Sequence, residues 1–303
     1  MNINNNNSKG VSYTSGFFLL IGFSLVATFI AAFIGLAMLG SVEAMEDPSK
    51  AGLLRAIQVG SVLLGMFLPA VAVAAILNRK PFQLLGYQRS ISIKQIGLVI
   101  LIIFASLVVA VALGHLNRQI PVPQDWRANF EDLETKYNKQ VAMMLNFKNF
   151  GGYILSMIIM AFVPALCEES LFRGGLQNFL TRASRSPWLA IVVVSILFSL
   201  AHFSFYLFLP RMFLGVALGL IYFLTGNIWL SIIAHFLVNA MSVTQMYLLT
   251  LQGKSMETAM NSDLHISYWG FLAVPVFIYL LIVLKKTGSR QVAVINQTDQ
   301  HGV

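Results

Sequence analysis

The sequence predicts an all-α, polytopic membrane protein, with about eight transmembrane helices around a core helix bundle. Three observations carry that prediction. Of 303 residues, 57% are hydrophobic and only 11% charged, against roughly 25% charge in a soluble domain. The apolar residues come in unbroken runs near the ~20 residues that a helix needs to cross a bilayer. A membrane β-barrel would instead show alternating segments of about ten residues. The Lys and Arg residues gather in connections between the runs, where they set orientation. The net charge of +8 therefore does not point to nucleic acid.

The first expected span is 16–39. It follows an Asn-rich start and lacks a short apolar core with a cleavage site, so it reads as retained and not as a removed signal peptide. An acidic loop (Glu43, Glu46, Asp47) leads to the second span, 57–77, closed by Arg79 and Lys80. Arg89 and Lys94 precede the third, 96–116. The polar segment 117–149 opens extended, because Pro121 and Pro123 remove donors and restrict their neighbours. Trp126, Phe130, Leu133, Tyr137, Val141 and Met144 then recur at helical spacing. That pattern fits an amphipathic helix at the interface or an ordinary loop helix equally well. The fourth span, 153–167, continues as a helix to about 181. Pro187 starts the fifth, 188–203. Spans 208–224, 228–249 and 268–284 follow, the last closed by Lys285, Lys286 and Arg290, with a disordered tail beyond. Three regions result: 1–149 with the first helices and the amphipathic loop, 150–250 as the core, and 251–303 with the last helix and tail. Eight spans put both termini on the face that carries the Lys and Arg clusters, and the enrichment of cytoplasmic loops in these residues makes that face cytoplasmic.

The core region holds the buried charge. Glu168, Glu169 and Arg173 close the fourth apolar run. An ionised side chain near the bilayer centre costs about 2.5–3.5 kcal/mol even on lenient scales, so such groups read first as a functional site. Glu169 and Arg173 stand at i,i+4 with the acid first, the favourable order for a helical ion pair. Glu168 points about 100° away and is left to face a cavity. The bland alternative is a helix end that snorkels its charges. His202, taken alone, reads as a histidine bonded to a nearby carbonyl. His235 and Asn239 share one helix face and need polar company, or act as interhelical glue. A depth shared by Glu168 and His202 requires the fourth helix to pass through Glu168 within the membrane. Arg211 is expected to reach the interface or an acid near the site, and Gly215 and Gly219 to allow close helix packing. The single cysteine, Cys167, excludes an internal disulfide or a multi-cysteine metal cluster. Its carboxylate neighbours disfavour the thiolate that a nucleophile needs.

Taken together, Glu168-Glu169-x-x-x-Arg173, Phe198-x-x-x-His202 and His235-x-x-x-Asn239, on separate helices and in this order, resemble the CPBP family. So do Arg211-x-Phe213-x-Gly215-x-x-x-Gly219 and Thr225-Gly226-Asn227-x-Trp229. The family comprises the CAAX prenyl endopeptidases and bacterial relatives, including bacteriocin-processing and self-immunity proteins. The resemblance covers roughly 161–241. It implies an intramembrane endopeptidase with a conical, cytosol-facing cavity, cutting a peptide or protein substrate near the cytoplasmic membrane face. It further implies that Glu168 and His202 activate a water, that His235 and Asn239 form the oxyanion hole, and that Glu169 and Arg173 support the site. No cofactor is needed on this route. The rival is a zinc enzyme ligated by Glu168, His202 and His235, although no HExxH helix is present. Two other functions compete: a non-catalytic binding or regulatory partner of the self-immunity type, and a transporter relaying protons, which would show paired hydropathy repeats. The expected location is the bacterial plasma membrane, as a multi-pass protein with both termini cytoplasmic, in contact with lipid and not with nucleic acid.

Overall fold

Backbone groups in a bilayer must be paired within their own segment, so apolar runs of this length become helices. The computed structural model describes residues 7–88, 90–145, 147, 149–253 and 268–298, with 288–298 given by backbone alone. Arg89 and the Arg290 side chain lie outside that description. The helices are α1 (Tyr13–Leu39), α2 (Pro48–Leu77), α3 (Ile93–Arg118), α4 (Gln124–Met144), α5 (Phe150–Ser184), α6 (Pro187–Leu200), α7 (Phe208–Thr225), α8 (Ile228–Leu251) and α9 (Val274–Thr298), the last entered through a 3-10 turn at Tyr268–Ala273. Among the described residues there is no strand.

Seven of these helices are long and apolar enough to cross a membrane. The architecture is thus the expected all-α membrane bundle, with two corrections. The fifth expected span is only 14 residues long as α6, or about 21 Å at 1.5 Å per residue, short of the ~30 Å hydrocarbon core. It stops because the chain turns at Ala201–Phe203, with Phe203 in the left-handed region at φ 49°. The expected disordered tail is instead helical to Thr298, continuing α9 past Lys286.

Two prolines lie inside spans, and each is accommodated in the same way. A proline lacks the N–H of the helix ladder and its ring clashes with the preceding turn. Ahead of Pro69 and Pro164 the helix widens into a π turn, Leu63–Phe67 and Ile158–Phe162, in which Leu68 and Val163 donate five residues back to Leu63 and Ile158. A third π segment, Ser170–Gln177, begins directly after the paired glutamates. α5 therefore runs unbroken for 35 residues, and Glu168 sits near its middle, about 27 Å from Phe150 and about 24 Å from Ser184 along the axis.

The bundle has two distinct ends. At one, the start of the described chain is clipped to the end of α2 (Lys9 N–H to Leu77 O, 3.0 Å), and Arg182 reaches the Tyr13 hydroxyl. The α7–α8 turn lies there too, with Asn227 donating to Ser90 O at 3.0 Å. At the other end lies α4. Phe130 stacks on Phe205 with centroids 4.9 Å apart, and Arg55 donates to the carbonyls of Met143, Met144 and Leu145. A cation on those terminal carbonyls satisfies groups that the helix leaves unpaired. The polar helix expected in 117–149 is thus present, and it is docked on the bundle.

Candidate active site

The turn between α5 and α6 decides how the site assembles. Arg185 takes a left-handed conformation, φ 56°, and Ser186 caps α6 by accepting from Leu189 N–H. α6 returns along α5 for about the distance by which α5 overshoots Glu168, so His202 comes back to the level of that glutamate. α7 then runs beside α5. Arg173 donates to Gly215 O at 3.2 Å, and one turn on Gln177 donates to Gly219 O at 2.9 Å. The two glycines bare their carbonyls to these rungs and let α7 close on α6, where a Cβ at Gly215 would meet Ser195 at 3.1 Å. This is the tight packing expected of the GxxxG.

Glu169 and Arg173 form the expected ion pair, Nη1 to Oε1 at 2.7 Å, with side chains 0% and 1% exposed. The same Glu169 oxygen accepts a second bond, from His235 Nδ1 at 2.8 Å. The guanidinium also lies over the Phe198 ring, 4.6 Å from its centroid. Glu169 is therefore shared between Arg173 and His235, a link absent from the sequence reading.

Glu168 points the other way. Its Oε2 is buried and makes no hydrogen bond. It faces His202 Nε2 at 3.8 Å and His235 Nε2 at 3.9 Å. The Nδ1 atoms of both rings are occupied. His202 donates its Nδ1–H to Phe198 O at 2.7 Å, since a carbonyl can only accept. In a neutral His202 the Nε2 is then a lone pair. Glu168 Oε2 and the two Nε2 atoms thus converge on one point, at separations too long for direct bonding and short enough for one water to reach the carboxylate and the His202 imidazole together.

Asn239 lies one turn beyond His235 on the same wall of the cavity and makes no hydrogen bond among the described residues. The cavity, about 740 Å³, takes in His202, His235, Asn239, Phe198 and Arg211. It runs out between α3 and α8 to α4, where Glu131, Glu134 and Tyr137 form its outer wall. Arg211 lies over the Tyr137 ring, 5.7 Å from its centroid. Cys167 is fully buried and does not line the cavity.

The zinc alternative can be weighed on the same distances. A tetrahedral ion held by bonds of about 2.0–2.1 Å needs ligand atoms roughly 3.3 Å apart. The carboxylate–imidazole separations here are wider. Among the described residues no group of three or more His, Cys, Asp or Glu side chains is arranged to hold an ion.

No curated protein and no solved structure matches the chain. Residues 150–241, which carry every side chain of the cluster around Glu168, match the family model described as Rce1-like, type II CAAX prenyl endopeptidase Rce1-like. The match covers 92 of the 303 residues, and over that stretch the chain is similar to a family of CAAX-type peptide hydrolases.

Proposed function

We propose that the chain is an intramembrane endopeptidase in which Glu168 and His202 activate a water, without metal, against a peptide carbonyl. The observation that carries this is the unpartnered Glu168 Oε2 facing two imidazole Nε2 atoms. A water seated there gives one hydrogen to Glu168 and the other to the His202 lone pair, which fixes its oxygen toward the cavity. Glu168 takes the first proton as that oxygen attacks the scissile carbonyl, and later returns it to the leaving amine nitrogen. General base work of this kind contributes about 10²–10⁴-fold.

The developing oxyanion lies against α8. Asn239 presents its amide N–H from one side. His235 presents Nε2–H only as the imidazolium, because Glu169 occupies Nδ1, so Glu169 takes part by holding that ring. Arg173 in turn holds Glu169. Donors fixed at a developing charge contribute about 2.7–4 kcal/mol each.

The test compares the membrane peptidome of cells carrying the intact chain with that of cells carrying Glu168→Ala. A terminal fragment present only with the intact chain supports the hydrolase. An unchanged peptidome, with the partner complexes of the protein preserved in the variant, would support a binding role instead.

A further inference from the structure

We infer that Arg211 is the residue by which the cavity recognises a carboxylate on the substrate, borne by a chain terminus or by an Asp or Glu side chain, beside the bond to be cut. This rests on the peptidase reading of the site and adds what a peptide must carry to be held there.

The first support is a cation without an acceptor. Arg211 lines the cavity together with Glu131 and Glu134. Among the described residues it forms no ion pair with either, and its Nη1 is buried without a hydrogen bond. Glu134 instead accepts from Ser204 Oγ at 3.1 Å. The guanidinium lies over the Tyr137 ring. A ring face attracts a cation but supplies no oxygen to its donors. Arginine keeps its charge in any such setting and holds its N–H groups in a flat fork. A buried donor left without an acceptor is costly. A carboxylate that arrives with the substrate removes that cost, with two parallel bonds.

The second support is where that cation stands. α5 and α7 run side by side, with Gln177 bonded to Gly219 O and Arg173 to Gly215 O. One turn farther back, the same register sets Arg211 opposite Glu169, at the level of the paired glutamates. Its base is fixed. The buried Asn117 side chain donates to Phe205 O and accepts from Leu209 N–H, both at 2.8 Å. Ser199 Oγ donates to Phe208 O at 2.7 Å. These bonds hold the first turn of α7 against α3 and α6, and only the short segment 203–207 separates it from His202. A carboxylate bound by Arg211 is therefore held at a set place relative to Glu168 and His202. That is the orientation a hydrolase needs from contacts remote from the reacting bond.

Binding to full-length Glu168→Gln protein in detergent tests this without turnover. The probes are short synthetic peptides of mixed sequence, each made as C-terminal acid and as C-terminal amide, with Glu or Gln at internal positions. Peptides retained by the immobilised protein are counted by mass spectrometry. A preference of about 10- to 100-fold for the carboxylate-bearing member of each pair is expected. Acid over amide names the terminal carboxyl group; Glu over Gln, whatever the terminus, names the side chain. Either preference should fall to near unity when Arg211→Gln is added and return in part with Arg211→Lys. Equal retention of all peptides, retention of none, or a preference that survives Arg211→Gln overturns the inference. Each ratio is read within one preparation. A variant that merely loosens α4 by losing the contact with Tyr137 lowers both members of a pair together and leaves the ratio unmoved. Failure here is told apart from failure of the peptidase reading, which the Glu168→Ala comparison decides.

Discussion

His235 donates its Nδ1–H to Glu169 at 2.8 Å, on the oxygen that also receives Arg173 at 2.7 Å. That shared oxygen changes what the paired glutamates mean. Adjacent carboxylates on one helix point about 100° apart, so one can face the two imidazoles while the other turns into the bundle. Glu168 is left with an unpaired oxygen beside the imidazoles, and Glu169 ties α5 to α8 through His235. The inward residue thus sets the orientation of a ring that the cavity uses.

Glu168→Gln is expected to remove turnover, by about 10²–10⁴-fold, while leaving thermal stability in detergent unchanged. The oxygen it alters makes no hydrogen bond, so the fold loses no contact. Measured turnover and melting temperature on the same preparation check this. A melting temperature that fell as far as that of an Arg173 variant would refute the division of labour.

Arg173→Leu should behave in the opposite way. It strands Glu169 at 0% exposure with only His235 for company. Breaking a buried pair by removing one partner costs about 3–5 kcal/mol. The double variant Arg173→Leu with Glu169→Gln removes the stranded charge and should recover part of that loss, without recovering activity. Denaturation curves of the single and double variants give the coupling. Simple additivity would count against the pair.

His202 donates its Nδ1–H to Phe198 O at 2.7 Å, so it can take a water hydrogen only as the neutral ring, on Nε2. Activity should therefore show an acid limb, as the ring gains its second proton, that His202→Asn alters. An acid limb indifferent to His202→Asn would remove His202 from the reaction.

Helix existence was legible in the apolar runs, and so was the family core, because its residues recur at fixed short spacings. The fourth span was placed at 153–167 with its helix running on to about 181, and α5 does continue to Ser184, with Glu169 and Arg173 paired inside it. What lies between elements was not legible. The shortness of α6 depends on a turn at Ala201–Phe203 that carries no Gly or Pro. The Glu169–His235 bond joins residues 66 apart in the chain, and nothing in either local pattern announces it. The periodicity of 117–149 foretold a helix but not its docking, which rests on single contacts such as Phe130 on Phe205 and Ser204 to Glu134.

Chelation should leave the enzyme active. The imidazole Nε2 atoms stand 3.8 and 3.9 Å from Glu168 Oε2, a spacing that suits a bridging water better than a tetrahedral ion. Purified protein dialysed against a strong chelator is expected to retain its turnover and its melting temperature. Loss of turnover restored by stoichiometric zinc would reassign Glu168, His202 and His235 as ligands.

Gly215→Ala should disturb the site without touching it. The added Cβ would stand 3.1 Å from Ser195 Cβ and 3.2 Å from its Cα, and backbone does not swing aside as a side-chain tip does. α6 and α7 must separate, which stretches the bond from Arg173 to Gly215 O and loosens the guanidinium that holds Glu169. Overpacking of this kind costs about 1–3 kcal/mol. Gly219→Ala meets Gln177 Oε1 at 2.8 Å, the tip of a buried side chain whose amide donates to Gly219 O, so relief there costs that one rung and leaves the Arg173 rung in place. The expected order of melting temperatures is wild type, then Gly219→Ala, then Gly215→Ala, with turnover falling furthest in the last. A Gly215→Ala protein as stable and as active as wild type would show that α6 shifts freely, and that the rung from Arg173 to α7 does not hold the site in place.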